Sequence, residues 1–337
     1  MVFFVLFLVL AAEFLNGWTD APNAIATVVS TKVLPFRYAV AMAVLMNTLG
    51  AISGTAVATT IGKGIVDASF VTLPVITSAL VPTILCGMYA ARFGLPISKT
   101  HALVAGLTGA GLAVGGTNAI LLSGWIKIGI GLAASLSLGF VLSFIISKCI
   151  YKTGLRSKWS PGKTRRNFNR LQILSAGLMA YNHGMNDGQK FIGIFTVTLV
   201  IGGMLPTFQV PLWVAVLCAI TMGLGTSFGG KRIITTLGEK MTCIQSWQGF
   251  SAEISSSAVI FASSITGVPI STTHTVSSAI MGVAAGRNWN SVRWFQARRI
   301  VIAWFATFLF CGAIGYATAR LFIHGLPIFK HLIALFI

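Results

Sequence analysis

Apolar residues run through this chain in long unbroken stretches, and polar residues gather in the breaks between them. The stretches cover roughly residues 1–32, 37–61, 73–92, 95–113 and 119–150, then 171–204, 211–228, 246–264, 268–285 and 297–323. A helix needs about 20 such residues to cross a bilayer core, and more when it tilts. The pattern predicts an all-α polytopic membrane protein of five plus five segments. Composition agrees. Of 337 residues, 55% are hydrophobic and 9% charged, with a mean hydropathy of +0.85. A soluble domain carries about 25% charged residues. This chain could not cover its apolar surface in water, which excludes a soluble enzyme, a nucleic-acid-binding domain and a disordered segment.

Charge sets the expected orientation. Lys and Arg number 24 against 6 Asp and Glu, and most of the basic residues fall in the short breaks. Cytoplasmic loops carry such an excess. The break Tyr151 to Arg170 holds Lys152, Arg156, Lys158, Lys163, Arg165, Arg166 and Arg170 and no acid. It is expected to be a cytoplasmic connector between a first unit (1–150) and a second (171–325), with an apolar tail at 326–337. Met1 to Leu15 lacks a basic leader and contains Glu13, so it reads as a retained membrane segment rather than a cleaved signal. The cysteines (Cys86, Cys149, Cys218, Cys243, Cys311) are scattered and suggest neither a disulfide framework nor a zinc site.

The two units repeat one another. Gly17-Trp18-Thr19-Asp20 matches Gly184-Met185-Asn186-Asp187. Pro96-Ile97-Ser98-Lys99-Thr100-His101 matches Pro269-Ile270-Ser271-Thr272-Thr273-His274. An odd number of segments per repeat requires the second to insert upside down. Loop charges follow that inversion. The break at Lys32 and Arg37 is basic, whereas Gly202 to Pro211 is uncharged. Gly62 to Thr72 holds only Lys63 and Asp67, whereas Gly229 to Ser246 holds Lys231, Arg232, Glu239 and Lys240. Gly115 to Ala119 is neutral, whereas Arg287 to Arg299 holds four arginines. Both termini are then outside. Inverted repeats are an architecture of secondary transporters, which bind substrate near the midplane where the repeats meet.

Acids within apolar stretches are costly, and each is a candidate functional group. They are Glu13, Asp20, Asp187 and Glu253. Around Asp20 and Asp187, Gly17, Pro22, Gly184 and Gly188 interrupt the helix. A broken helix frees carbonyls that coordinate a hard cation together with carboxylates and amides. Asp20 and Asp187 are therefore expected to hold a coupling cation, with Asn23 and Asn186 adding neutral oxygens; these four are the metal ligands if the cation is sodium. An acid that braces a helix break is the plainer alternative.

Each Pro-Ile-Ser-x-Thr-His motif opens an apolar segment. Pro suits a first helical turn, and Ser and Thr cap its free amides. Such a terminus attracts anions through its N–H groups and dipole. Two of them facing one anion would place the hydroxyls of Ser98, Thr100, Ser271, Thr272 and Thr273 around it. Capping alone would explain a single motif. His101, His183 and His274 could carry protons or orient the motifs. Glu253 is a candidate proton acceptor, and Lys99 and Lys190 could balance acids or approach the anion.

At these residues the chain resembles the inorganic phosphate transporter (PiT) family. The duplicated signature stands here as Gly17-Trp18-Thr19-Asp20-Ala21-Pro22-Asn23-Ala24 and as Gly184-Met185-Asn186-Asp187-Gly188-Gln189-Lys190, and the downstream Ser-x-Thr-His pair looks like the family's. The resemblance spans nearly the whole chain. It implies cation-coupled uptake of inorganic phosphate by alternating access, with Na+ or H+ as coupling ion, no cofactor, and a multi-pass location in the cell inner (plasma) membrane. It also implies a homodimer. The cation role then falls on Asp20, Asn23, Asn186 and Asp187, and the phosphate role on Ser98, Thr100, Ser271 and Thr273. Departures include Trp18-Thr19 and Pro22 in the first signature and Gln189-Lys190 in the second, so the two sites are not chemically equal. The second signature resembles bacterial members that use protons. The long soluble loop of animal relatives is absent. A sulfate carrier on the same scaffold is one alternative, and an intramembrane acid–base enzyme is another.

Overall fold

The computed structural model describes residues 1–155 and 161–325. The apolar tail expected at 326–337, and Arg156 and Lys158 of the connector, lie outside them. The described residues are helical apart from turns and a single bridge, Val66 to Ile120. Beside it, Ser69 donates its N–H and hydroxyl to Asp67 Oδ1, which holds that exposed carboxyl below its ordinary value.

The first half contains α1 (Val2–Thr19), α2 (Pro22–Ser30), α3 (Phe36–Ala51), α4 (Ala56–Lys63), α5 (Leu73–Phe93), α6 (Lys99–Gly115) and α7 (Leu122–Ile150). The second contains α8 (Pro161–His183), α9 (Gln189–Ile201), α10 (Leu212–Ser227), α11 (Lys231–Thr235), α12 (Ser246–Ile265), α13 (Thr272–Arg287) and α14 (Trp294–His324). Element for element, the halves agree. Each begins with a long helix interrupted at its aspartate, at Asp20–Ala21 and in a π-helical turn over Gly184–Gly188. Each continues with a bent pair, 70° between α3 and α4 and 67° between α10 and α11 with the π-helical turn that follows it. Grouped this way, the pieces make five segments per half.

Among the described residues, five helical spans (α1 with α2, α5, α14, and α6 and α7 with the turns that follow them) are long and apolar enough to cross a membrane, and the two bent pairs also qualify. The α8–α9 unit, α12 and α13 do not qualify alone, because they are short or carry the polar residues of the centre. Two expectations change. Residues 161–170 of the connector are the first turns of α8 rather than a loop. The region 229–246 is not a loop equivalent to 62–72: Lys231–Lys240 is helical and corresponds to α4. The two stretches are unlike elements, a loop and a helix, so their charges do not compare equivalent loops.

Packing is reciprocal. Helix α1 crosses α10, as α8 crosses α3; α6 lies on α14, as α13 lies on α7. Glycine makes the first pair of crossings. A Cβ on Gly17 would strike the Met222 carbonyl, and one on Gly225 the Phe14 carbonyl. At the equivalent crossing, Gly184 meets the Asn47 carbonyl and Gly50 the Tyr181 carbonyl. The signature glycines thus serve backbone-to-backbone approach, a common device in membrane helices. The long helices α7 and α14 expose Ile126, Ile130, Phe305 and Leu309, as lipid-facing surfaces do. The polar centre is buried, with Asp20, Asp187, Glu253, Lys99 and Lys190 each no more than 3% exposed.

Candidate functional site

Two helix breaks and two helix starts meet in the interior. Ser98 Oγ accepts the N–H of His101 at 3.3 Å and caps α6; Ser271 Oγ accepts that of His274 at 3.2 Å and caps α13. Both expected caps form, and both hydroxyls keep a proton to donate. The starts touch directly. Thr100 Oγ1 donates to the Ile270 carbonyl at 3.0 Å, and the rings of His101 and His274 lie edge to face with centroids 4.4 Å apart. His274 also packs against Trp304, with ring centroids 3.7 Å apart and the planes tilted by 35°, and the Trp304 indole N–H donates to the Pro96 carbonyl.

Asp20 sits at the first break. The Lys99 backbone N–H and Nζ each approach its carboxylate at 3.4 Å, and Thr19 Oγ1 donates to it at 3.2 Å. Asn23 Nδ2 donates to Thr273 Oγ1 at 2.9 Å, which ties the first break to the second helix start. Asn23 Oδ1 is buried with no hydrogen-bond partner.

Asp187 sits at the second break. Lys190 Nζ donates to its Oδ1 at 2.5 Å and Thr272 Oγ1 to its Oδ2 at 2.8 Å, while His183 Nε2 lies 3.3 Å from Oδ2. Asn47 Oδ1 meets the other nitrogen of His183 at 3.0 Å. Lys190 Nζ also donates to Thr100 Oγ1 at 2.5 Å and to the Ile270 carbonyl at 2.9 Å. One ammonium therefore joins an aspartate to both helix starts. Asn186 Nδ2 donates to Ser264 Oγ at 3.0 Å, and its Oδ1 is buried and unpartnered.

The two halves hold their acids by non-equivalent residues. Lys99 stands where the second half has Thr272, and Lys190 stands where the first half has Asn23. Each half thus has one aspartate and one lysine, but the lysine comes from the helix start in one and from beyond the helix break in the other. Thr272, expected beside the anion, instead turns its hydroxyl to Asp187.

Two acids lie apart from this network. Glu13 accepts from Asn16 Nδ2 at 3.0 Å. Glu253 on α12 accepts from Thr27 Oγ1 at 2.5 Å, Gln172 Nε2 at 3.3 Å and Ser175 Oγ. Thr27, Gln172, Ser175, Asn47 and Ser264 belong to none of the repeated motifs. Thr27 had a signal: it falls one turn after Asn23 on the same face of α2. The others are single polar residues in apolar helices, visible only through their partners.

The phosphate transporter family profile matches residues 16–315. A probable low-affinity inorganic phosphate transporter of Rhizobium meliloti is 42% identical over 297 residues, which is 88% of each chain. One from Bacillus subtilis is 40% identical over 314 residues, 91% of this chain and 92% of its own. A solved structure, the sodium-dependent phosphate transporter, superimposes with a TM-score of 0.87 at 24% identity, covering 96% of this chain and 99% of that one. At that identity the likeness speaks for the fold. These relatives are transporters and not enzymes, which removes the acid–base enzyme reading. With a duplicated helix-break and helix-start architecture and similarity along nearly its full length, this multi-pass membrane chain belongs to the phosphate transporter family.

Proposed function

We propose that this protein imports inorganic phosphate by cation-coupled alternating access across the plasma membrane. In this reading the second half is inserted upside down relative to the first. Both termini are then outside, and the basic connector is cytoplasmic. The observation that carries the reading is Lys190, whose ammonium bridges Asp187, Thr100 and the Ile270 carbonyl. Through it, the carboxylate that senses the cation and the helix starts that face the anion form one network.

The coupling follows from competition. A sodium ion or proton that reaches Asp187 competes with Lys190 for the carboxylate, and one that reaches Asp20 competes with Lys99. Asn23 and Asn186 offer their unpartnered amide oxygens to the same cation. The released ammonium turns to an anion held by Ser98, Thr100, Ser271 and Thr273 and by the free amides of α6 and α13. Cation binding raises anion affinity, and the anion raises cation affinity by the same free energy. His101 and His274 pack the two starts against each other, and His183 orients Asp187. Rocking of one unit against the other then exposes the site to each side in turn. The family resemblance supports assembly as a homodimer.

Reconstituted liposomes test the proposal. Labelled phosphate uptake is measured under an inward sodium gradient or an inward proton gradient, with sulfate as competitor. Uptake driven by one gradient and indifferent to sulfate is the expected result, and it names the coupling ion. Uptake of sulfate alone replaces the substrate and keeps the mechanism. No transport of either anion by folded protein refutes the reading.

A further inference from the structure

A crevice of about 800 Å³ opens on the surface between α1, α5 and α11. Its walls are apolar, and Leu85, Met88, Tyr89 and Phe228 are each 46% exposed or more. Arg92, Lys231 and Arg232 also line it, and none of its lining residues is acidic. Among the described residues, none of these three cations pairs with a carboxylate. Lys231 Nζ lies 4.9 Å over the Phe36 ring, and Arg92 lies 5.7 Å from the Phe93 ring. Arg232 Nη1 donates to the Arg92 carbonyl, so the fold gathers the three charges at one place against their mutual repulsion.

The equivalent place in the repeat, where α12 ends and α4 begins, has no such cluster among the described residues. Where the first half has Arg92 at the end of α5, α12 ends in Ile265. Where α11 begins with Lys231 and Arg232, α4 begins with Ala56 and Val57. An excess of positive charge on one side of a membrane protein accounts for the sign of the cluster. It does not account for an apolar crevice beneath three unpaired cations. Basic pockets between membrane helices on the cytoplasmic side take anionic lipid headgroups.

We propose that this crevice binds one anionic phospholipid. Arg92, Lys231 and Arg232 hold its phosphodiester, and an acyl chain lies along Leu85, Met88 and Tyr89. The bound lipid would brace the transport centre from behind. Trp18 lines the crevice two residues before Asp20. Gly230, also in the lining, lies so close to Pro22 that a Cβ would strike the proline ring. Thr236 Oγ1, one turn beyond Arg232, donates at 2.7 Å to the carbonyl of Gly94, where the chain turns toward Ser98.

Native mass spectrometry on the full-length protein in detergent tests this, with phosphatidylglycerol titrated against phosphatidylcholine. A cation near an anionic headgroup is worth about a factor of five, so the first phosphatidylglycerol should bind about a hundredfold tighter. The triple variant R92Q/K231Q/R232Q should lose that preference, and Lys231→Gln alone about fivefold of it. Because Arg232 also holds a backbone carbonyl, a poorly folded triple variant is replaced by R92Q/K231Q. Equal affinity for the two lipids overturns the proposal, as does an undiminished preference in the triple variant or, in R92Q/K231Q, a preference much above the roughly fivefold left to Arg232. Displacement of phosphatidylglycerol by excess inorganic phosphate at the same residues also overturns it, because the crevice would then be a site for the free anion.

Discussion

Lys190→Gln is the most informative single change in this protein. It removes an ammonium that donates three hydrogen bonds, at 2.5, 2.5 and 2.9 Å, within a fully buried centre. The largest consequence is electrostatic. Asp187 keeps Thr272 Oγ1 and the neighbouring His183 but loses its cation. Removing one partner of a buried ion pair costs about 3–5 kcal/mol, and the surviving contacts place this variant near the lower end. Asp187→Asn should cost a similar amount, because it leaves Lys190 buried with only Thr100 and a carbonyl. In the double variant both residues are neutral and can hydrogen-bond to each other, so no charge is stranded. It should be more stable than either single variant. Reversible unfolding of the purified protein in mixed SDS–detergent micelles gives the three free energies of the cycle. If the losses simply add, so that the double variant is the least stable of the three, the pair is not coupled and the competition mechanism has no basis. Phosphate uptake should be lost in the double variant despite its recovered stability, because neither the cation acceptor nor the ammonium remains.

Further expectations are independent of that cycle. Lys190→Asn gives the second half the residue that the first half has at Asn23. If the lysine occupies a cation's place, uptake should become more dependent on sodium, as read by varying external sodium at fixed pH in liposomes. Glu253→Gln replaces an oxygen that accepts from Thr27, Gln172 or Ser175 by an NH2 group, which strands a buried donor. A loss of about 1–3 kcal/mol in the same unfolding assay is expected, and no loss would mean that these side chains find other partners. Gly17→Ala forces a Cβ against the Met222 carbonyl and must move α1 from α10. It should cost about 1–3 kcal/mol, whereas Gly129→Ala, which meets nothing within 4 Å, should be close to neutral.

Much of the architecture was legible in the chain. Membrane helices must satisfy their own backbone groups and bury or expose apolar side chains over a fixed length. Segment number and approximate ends therefore follow from local composition. Duplication put the aspartates, the caps Ser98 and Ser271 and the signature glycines at matched positions, where two motifs in the same order could be read directly. The exceptions were local as well. Polarity hid the first turns of α8, and charge disguised the helical stretch 231–240 as a loop, since Lys231 and Arg232 at the bend of the pair look like a solvated connection.

The partners of the polar residues were not legible. Asn23 meets Thr273 across 250 residues of chain, and Lys190 meets Thr100 across 90. No local pattern encodes such a pairing. It depends on which helix faces cross, and those crossings are set by glycines whose contacts are themselves long-range. By itself the sequence determined a duplicated membrane chain with an acid at each break and a cap at each helix start. Only the tertiary structure decided that each acid is held by a lysine from a non-equivalent position, that Thr272 serves Asp187, and that Arg92, Lys231 and Arg232 share one crevice. A charge in a low-dielectric interior must find its counter-charge in space, and the distance that governs this is measured across the fold rather than along the chain.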